Sequence, residues 1–86
     1  FVPDATEAST AKVGRVAVLP SYRGRGLGRA MMRWLEAEAQ RVGYRSVRLS
    51  AQLHAQGFYE GLGYVAHGDV FLEADIEHRW MTLALG

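Results

Sequence analysis

The sequence is poor in several residue types, and each shortage removes a class of protein from consideration. Its 86 residues include no cysteine, two prolines and three histidines. The lack of cysteine excludes a thiol nucleophile, a disulfide framework and a cysteine-ligated zinc site, and it is compatible with the cytoplasm. No apolar run approaches the roughly 20 residues of a membrane span, and the first ten residues lack a secretory-signal pattern. We therefore expect a soluble cytoplasmic protein, and the dispersed histidines predict no metal site.

Net charge is also small, and its distribution is more informative than its total. Ten basic and nine acidic residues give +1, which identifies no partner. Seven of the basic residues lie between residues 23 and 48, and four of the acidic residues lie between residues 69 and 77. We expect the middle of the chain to attract anions and its end to attract cations.

The first two thirds of the chain have the pattern of a β-α-β unit. Residues 12–19 and 46–51 read as strands. Between them, apolar residues at spacings of three and four predict a helix over residues 26–42, with Gly43 as its left-handed cap. The apolar residues of this helix are Leu27, Met31, Trp34, Leu35, Ala39 and Val42. A unit of this length implies parallel neighbouring strands and a right-handed crossover, hence a mixed α/β fold.

The remaining segments complete the predicted sheet. Residues 53–62 form a short helix, and residues 64–67 and 78–85 form two strands that can pair antiparallel at one side. The acidic stretch between these strands is predicted to connect them. Both tryptophans, Trp34 and Trp80, are expected in the core. Residues 1–11 read as a loop or linker, and residues 12–86 as part of a single domain.

The segment YRGRGLG (residues 22–28) joins the first strand to the long helix. Glycines let the main chain approach a ligand closely, and unpaired N–H groups at a helix start attract an anion, most naturally phosphate. Neither better-known phosphate motif fits. The only lysine, Lys12, lies upstream of the loop, and the third glycine of GxGxxG would fall on Arg29 or Met31. An alternative is an ordinary surface turn with solvated arginines.

Two motifs together resemble a known family. Arg23, Gly26 and Gly28 form Arg-x-x-Gly-x-Gly after Val-Leu-Pro and before a helix, which resembles the signature of the GNAT superfamily of acyl-CoA-dependent N-acyltransferases. QLHAQGFYEGLGY (residues 52–64) resembles the family's second block, with Gln where Asn is common and Tyr in place of a Phe. Residues 71–81 are similar to the tail of the ElaA-like branch.

The resemblance covers roughly residues 13–85 and corresponds to the C-terminal portion of the usual domain. We therefore expect the N-terminal portion, which shapes much of the acceptor site, to be absent, through missing upstream residues or because another chain supplies it. A homodimer stays open for the same reason.

The resemblance implies an N-acetyltransferase in which a primary amine attacks acetyl-CoA directly, without a covalent enzyme intermediate. The pantetheine arm would lie between the two parallel strands, against the backbone of residues 16–19. Main-chain amides of residues 23–29 would hold the pyrophosphate, and Gln52 would contact the coenzyme. The implied coenzyme-binding residues are Val16, Val18, Arg23, Gly24, Arg25, Gly26, Leu27, Gly28, Arg29 and Gln52.

Two residues are candidates for the proton transfers. On a helix, Gln52, Ala55 and Tyr59 would share one face, with Phe58 and Leu62 on the neighbouring face toward the core. The departing thiolate needs a proton donor, and a phenol suits that task; the resemblance assigns it to Tyr59. His78 suits proton acceptance near neutral pH. The alternatives are a core tyrosine and a strand-edge histidine beside an exposed acidic hairpin.

The acceptor stays open between an amine-bearing small molecule and a protein amino group, and so do the acyl-chain length and the oligomeric state. One rival function is a non-catalytic acyl-CoA-binding module, in which Tyr59 would be dispensable. Nucleic-acid binding through the arginine-rich middle is disfavoured, because no exposed-looking aromatic residues are interleaved with the basic ones.

Overall fold

The computed structural model describes residues 2–3, 9–13 and 26–86, and within these ranges five strands form a single mixed sheet. The strand order is β1-β2-β3-β5-β4. This arrangement confirms the predicted mixed α/β class. The elements, in chain order, are β1 (Val2–Pro3), β2 (Thr10–Lys12), α1 (Leu27–Arg41), β3 (Ser46–Gln52), a 3-10 turn (Leu53–Ala55), α2 (Gln56–Gly61), β4 (Val65–Glu73) and β5 (Ile76–Ala84).

A β-α-β order is present, but of the strand predicted at residues 12–19 only Lys12 belongs to β2. Strands β2 and β3 pair in parallel, with Lys12 opposite Arg48, and α1 connects the two regions. Of the first predicted strand, residues 14–19 lie outside the described residues. The loop or linker predicted for residues 1–11 is wrong where β1 and β2 lie, because these two strands pair antiparallel. Hydrogen bonds between main-chain groups hold these short strands together, and side-chain packing contributes little. Their small and polar side chains therefore give no strand pattern in the sequence.

Helix α1 has the predicted extent to within one residue at each end. Gly43 has φ +105 and follows the helix as its left-handed cap, as predicted. The cap bonds run from the Gly43 N–H to the Gln40 carbonyl and from the Tyr44 N–H to the Ala39 carbonyl. Only glycine adopts this conformation without a steric cost, which is why the sequence located the helix end so well.

The predicted buried face of α1 is partly wrong. Met32 and Ala39 are fully buried, with Glu36 between them, whereas Trp34 is 66% exposed and Val42 is also exposed. A helix whose apolar residues cover a wide arc offers more than one stripe for burial, and its spacing alone does not choose between them. Docking on the sheet selects the stripe that contains Met32.

The last two strands form a longer hairpin than predicted. The acidic stretch expected to connect them is itself strand, because β4 extends to Glu73 and β5 begins at Ile76. The turn consists of Ala74 and Asp75, both with positive φ, as type I′ hairpin turns require. Acidic side chains are tolerated there because they project from an exposed part of the hairpin.

The two faces of the sheet differ in character, since alternate strand residues point to opposite sides. The face covered by the helices holds the core residues Ala11, Val47, Leu49, Ala51 and Met81, packed with Met32, Ala39, Tyr59, Leu62 and Tyr64. The opposite face, here called the polar sheet face, presents Lys12, Arg48, Ser50, Gln52, His78 and Trp80. Trp80 therefore lies outside the main core in which it was expected.

Candidate active site

The start of α1 is the described part of the predicted phosphate loop. Gly26 precedes the helix in a left-handed conformation (φ +74), and a Cβ there would meet only open space. Within the described ranges no side chain caps this helix start, and its first turn contains no acidic residue. Its first N–H groups therefore keep the positive end of the helix dipole available to an anion. Four predicted coenzyme-binding residues are placed here, Gly26, Leu27, Gly28 and Arg29.

The other five residues predicted for the loop and its strand lie outside the described residues: Val16, Val18, Arg23, Gly24 and Arg25. The described pairing of β2 with β3 runs up to the bond from the Val13 N–H to the Arg48 carbonyl, at 2.9 Å. Strand β3 continues for four residues beyond Arg48, to Gln52. The pantetheine arm is predicted to lie between the first strand and residues 46–51, which include most of this extension.

Gln52 is not on a helix, so the predicted helical face shared by Gln52, Ala55 and Tyr59 is wrong. Gln52 is the last residue of β3, with extended backbone (φ −61, ψ 144). It lies directly opposite His78 of β5. The 3-10 turn that follows accounts for the difference, because it delays the α-helix until Gln56. The structure thus brings together two predicted site residues that are 26 positions apart.

Tyr59 lies on α2 and is 8% exposed. Its ring packs edge-on against Phe58 at 5.1 Å and against Tyr64 at 5.8 Å between centroids. Burial raises the pKa of the Tyr59 phenol above its usual value. Like any tyrosine, it carries its proton at neutral pH. Phe58 was expected to face the core, but it is 43% exposed, while Leu62 is buried as predicted. Because a 3-10 turn precedes it, the short helix α2 is oriented differently from the prediction. It buries Tyr59 instead of Phe58.

His78 is a buried residue of the polar sheet face, not an exposed edge residue. Its Nδ1 lies 2.6 Å from the Ile76 carbonyl oxygen, and its Nε2 lies 3.5 Å from Oε2 of Glu73. Phe71 stacks on the imidazole, with the ring centroids 5.9 Å apart. The Ser50 hydroxyl donates to the same Glu73 oxygen at 3.2 Å. His78, Glu73 and Ser50 therefore form one connected polar group on three strands.

Sequence reasoning missed the roles of Ser50, Phe71 and Glu73. A usable signal was present in FLEADIEH, since a two-residue turn at Ala-Asp places Phe71 opposite His78. Ala-Asp is a weaker hairpin signal than Asn-Gly or Asp-Gly, so the turn was not predicted.

A second group on the polar sheet face surrounds Trp80. Phe71 stacks on Trp80 at 5.3 Å, and the Arg48 guanidinium lies 4.3 Å from the indole centroid. Lys12 approaches the same ring at 5.6 Å. These contacts place two cations beside a row of three stacked rings, Trp80, Phe71 and His78. They also explain how a tryptophan outside the main core is kept in place.

The other histidines are separate from these groups. His54 is exposed on the 3-10 turn, and His67 is exposed with its Nε2 2.9 Å from the Thr82 hydroxyl. Within the part of the chain that the structure describes, no three acidic or histidine side chains are grouped so that they could hold a metal ion.

A buried polar network connects α1 to the segment that follows α2. The Tyr64 hydroxyl donates to Oε2 of Glu36 at 2.8 Å, and Arg33 donates to Oε1 of Glu36 at 2.8 Å. Arg33 also donates to the Leu62 carbonyl at 3.1 Å. These bonds satisfy a carboxylate that would be costly to bury alone. The network holds α1 against the end of the helix that carries Tyr59.

Tyr64 makes stability depend on pH in the alkaline range. Burial, reinforced by the bond to Glu36, strongly raises the pKa of Tyr64. Above about pH 10 the unfolded tyrosine loses its proton while the folded one keeps it, so the free energy of unfolding falls as pH rises. We expect urea denaturation between pH 8 and 11 to show this fall, by up to about 1.4 kcal/mol per pH unit for this group. Tyr64→Phe should reduce the slope, and equal slopes would contradict the assignment.

Comparisons with known proteins agree on one family. The chain matches the family model of the acetyltransferase (GNAT) domain over residues 4–85. It is 40% identical to the uncharacterized protein YyaT of Bacillus subtilis over 73 residues, which are 85% of this chain and 49% of that protein. The chain thus spans about half the length of the curated relatives it matches.

Solved structures show the same fold. A crystal structure described as an N-acetyltransferase from Lactobacillus plantarum has a TM-score of 0.86 at 30% identity, over 96% of this chain and 56% of that one. An acyl-CoA N-acyltransferase from Pseudomonas aeruginosa has a TM-score of 0.73 at 40% identity, over 85% and 50%. The expected similarity to ElaA is present too, with a TM-score of 0.66 at 35% identity to the Escherichia coli protein, over 83% and 49%. Across the described residues, no helix is long and apolar enough to cross a membrane.

Proposed function

Since the chain belongs to the GNAT family of acetyltransferases, we propose that it takes part in transferring an acetyl group from acetyl-CoA to a primary amine. Acetyl-CoA is the acyl donor that acetyltransferases of this family use. The proposal extends this to the chain itself, with the amine attacking the thioester directly. The acceptor is either an amine-bearing small molecule or a protein amino group.

The observation that carries the proposal is the position of Gln52, where β3 ends. Beyond the described pairing with β2, this strand leads into the 3-10 turn and α2, which bears Tyr59, and its last residue lies opposite His78. Tyr59, on the helix-covered side of the sheet, and His78, on the polar sheet face, are thus both on elements that meet the end of the strand against which the pantetheine arm is proposed to lie. The N-terminal amides of α1 would bind the pyrophosphate.

The proposed reaction moves two protons. The neutral amine nitrogen attacks the thioester carbonyl carbon, so a C–N bond forms and the C–S bond breaks. The amine gives up its extra proton to His78, the proposed base, and the departing thiolate receives one from the Tyr59 hydroxyl. At neutral pH the Tyr59 phenol carries its proton and can donate it as the C–S bond breaks. No covalent bond to the protein is required.

An acceptor screen with detection of free thiol tests the proposal. Purified chain is mixed with acetyl-CoA and with small amines, polyamines, aminoglycosides and peptides with free amino groups, and calorimetry measures coenzyme A affinity separately. The screen is repeated with a form extended at its amino end, since that region is expected to shape the acceptor site. Thiol release that depends on an amine supports the proposal. Binding of coenzyme A without release for any amine, in both forms, favours the non-catalytic module.

The cytoplasmic location and a homodimer stay predictions. Fractionation of cells and sedimentation of the natural protein test them.

A further inference from the structure

Helix α2 carries Tyr59 but is too short to hold its own orientation. It has six residues, Gln56–Gly61, and isolated helices of this length are marginal in water. Within the described chain no side chain caps its start, and its last turn, which the structure describes in full, contains no basic residue. The orientation of α2 must therefore come from contacts with other elements.

Arg33 of α1 supplies such a contact at the end of α2. Its Nη2 donates to the carbonyl oxygen of Leu62, the C-terminal cap residue of α2, at 3.1 Å. A cation at this position satisfies a carbonyl at the helix end and lies at the negative end of the helix dipole. The guanidinium thus takes the place of the basic residue that the last turn of α2 lacks.

The residue that Arg33 holds is bonded directly to Tyr59. The Leu62 N–H donates to the Tyr59 carbonyl oxygen at 3.0 Å, and the Tyr64 N–H donates to the same oxygen at 3.1 Å. Two hydrogen bonds, with Leu62 between them, therefore connect the Arg33 guanidinium to the backbone of Tyr59. A displacement of this turn would move the Tyr59 ring with it.

Glu36 fixes the direction in which Arg33 points. Nη1 of Arg33 bonds to Oε1 of Glu36 at 2.8 Å, and the Glu36 side chain is 7% exposed, against 45% for that of Arg33. The other carboxylate oxygen accepts from the Tyr64 hydroxyl. Because a buried carboxylate holds Nη1, the planar guanidinium directs Nη2 at the Leu62 carbonyl.

A second arginine of α1 lacks this connection. Arg41 pairs with Glu38 at 2.8 Å, with the same spacing of three residues along the helix. Its Nε and Nη2 both donate to the Glu38 carboxylate, so its contacts among the described residues stay on α1. What distinguishes Arg33 is therefore the bond to α2 and not the pairing with a glutamate.

Helix α1 is also the element whose start is proposed to bind the pyrophosphate of coenzyme A. Arg33 lies about two turns beyond Gly26, which precedes that start. The helix that is proposed to hold the coenzyme thus also holds the turn that follows Tyr59. This connection fixes the phenol relative to the coenzyme on whose sulfur it is proposed to act.

We infer that Arg33 is a positioning residue that keeps the Tyr59 hydroxyl where the departing thiolate forms. This inference rests on the proposed function. As the C–S bond breaks, the proton passes from the Tyr59 oxygen to the sulfur, and the phenolate later regains a proton from water. Arg33 exchanges no proton and acts only by holding the donor oxygen within reach of the sulfur.

Arg33→Lys tests the inference. Lysine keeps a positive charge beside Glu36, but it has one nitrogen in place of the two that bond to Glu36 and Leu62. We expect kcat to fall about 10-fold, since small displacements of a reacting group lower the rate strongly. The affinity for coenzyme A, measured by calorimetry, should stay within a factor of about two, because only the transition state is affected.

Arg41→Lys is the matched control, because it makes the same change in the same helix, at an arginine that also pairs with a glutamate three residues away. It should leave kcat as in wild type. If Arg33→Lys has the same kcat as Arg41→Lys in an active protein, the inference fails while the proposed function stands. A wild type that acetylates no amine overturns both.

Combining Arg33→Lys with Tyr59→Phe separates positioning of the hydroxyl from a general loss of structure. Without the hydroxyl, Arg33 has no proton donor to position, so the double variant should have the kcat of Tyr59→Phe alone. A further fall of about 10-fold in the double variant would give Arg33 a role apart from the phenol and contradict the inference.

Amide hydrogen exchange gives a readout that needs no turnover. The N–H groups of Leu62 and Tyr64 bond to the Tyr59 carbonyl, so they report on the turn that Arg33 holds. In Arg33→Lys we expect them to exchange about 10-fold faster than in wild type or Arg41→Lys, because the turn opens more often. Unchanged exchange at both groups would overturn the inference.

Discussion

Replacing Tyr59 with phenylalanine should lower kcat about 100- to 1,000-fold while leaving the affinity for coenzyme A within a factor of about three. The hydroxyl is the proposed donor to the departing thiolate, and its loss leaves that charge unprotonated in the transition state. The ring stays, with its edge-on contacts to Phe58 and Tyr64. Steady-state kinetics with free-thiol detection measures kcat, and calorimetry measures binding.

Tyr64→Phe is the matched control, because it removes a hydroxyl from the neighbouring ring. That hydroxyl donates to buried Glu36, so its loss should lower the free energy of unfolding by about 1–3 kcal/mol. Its effect on kcat should be small. Within the described residues no such bond involves the Tyr59 hydroxyl, so Tyr59→Phe should change stability by less than about 1 kcal/mol. Full kcat in Tyr59→Phe would favour a non-catalytic acyl-CoA-binding module.

Met32→Ala is expected to lower the free energy of unfolding by about 2–5 kcal/mol. The side chain is 0% exposed on the buried stripe of α1, and its removal leaves a cavity against the sheet. Native domains have about 5–15 kcal/mol of stability in total, so the loss is a large share of it. Urea denaturation of the 86-residue chain measures the change.

Met31→Ala provides the comparison on the same helix. Met31 precedes Met32 directly and is 38% exposed, so its truncation should cost less than about 1 kcal/mol. The apolar spacing in the sequence pointed to Met31 as the buried methionine. A larger loss for Met31→Ala than for Met32→Ala would support that spacing and contradict the packing described for α1.

Several features were predicted correctly from residues that are close together in the sequence. The β-α-β unit followed from periodicity, and the end of α1 followed from the steric freedom of Gly43. The glycine-arginine loop and the Phe-Tyr block indicated the family, which the domain match confirms. Each of these features is set by residues close together in the chain, so no knowledge of long-range contacts was needed.

Features that depend on the register of strand pairing could not be predicted from local sequence. Gln52 was expected on a helix but ends a strand, because a 3-10 turn follows it. The hairpin is longer than predicted, because Ala-Asp is a weak turn signal. The sheet then placed Ser50, Glu73 and His78 together, although 23 residues separate Ser50 from Glu73. No local pattern relates residues at that distance.

The sequence by itself determined the family and the order of α1, β3, α2, β4 and β5, because spacing and glycine positions act within a few residues. Tertiary structure alone decided which stripe of α1 is buried, which aromatic ring of α2 turns inward, and which carboxylate meets His78. The physical reason is that burial and hydrogen bonding across a sheet depend on how strands are aligned. That alignment is fixed only when β5 takes its place between β3 and β4.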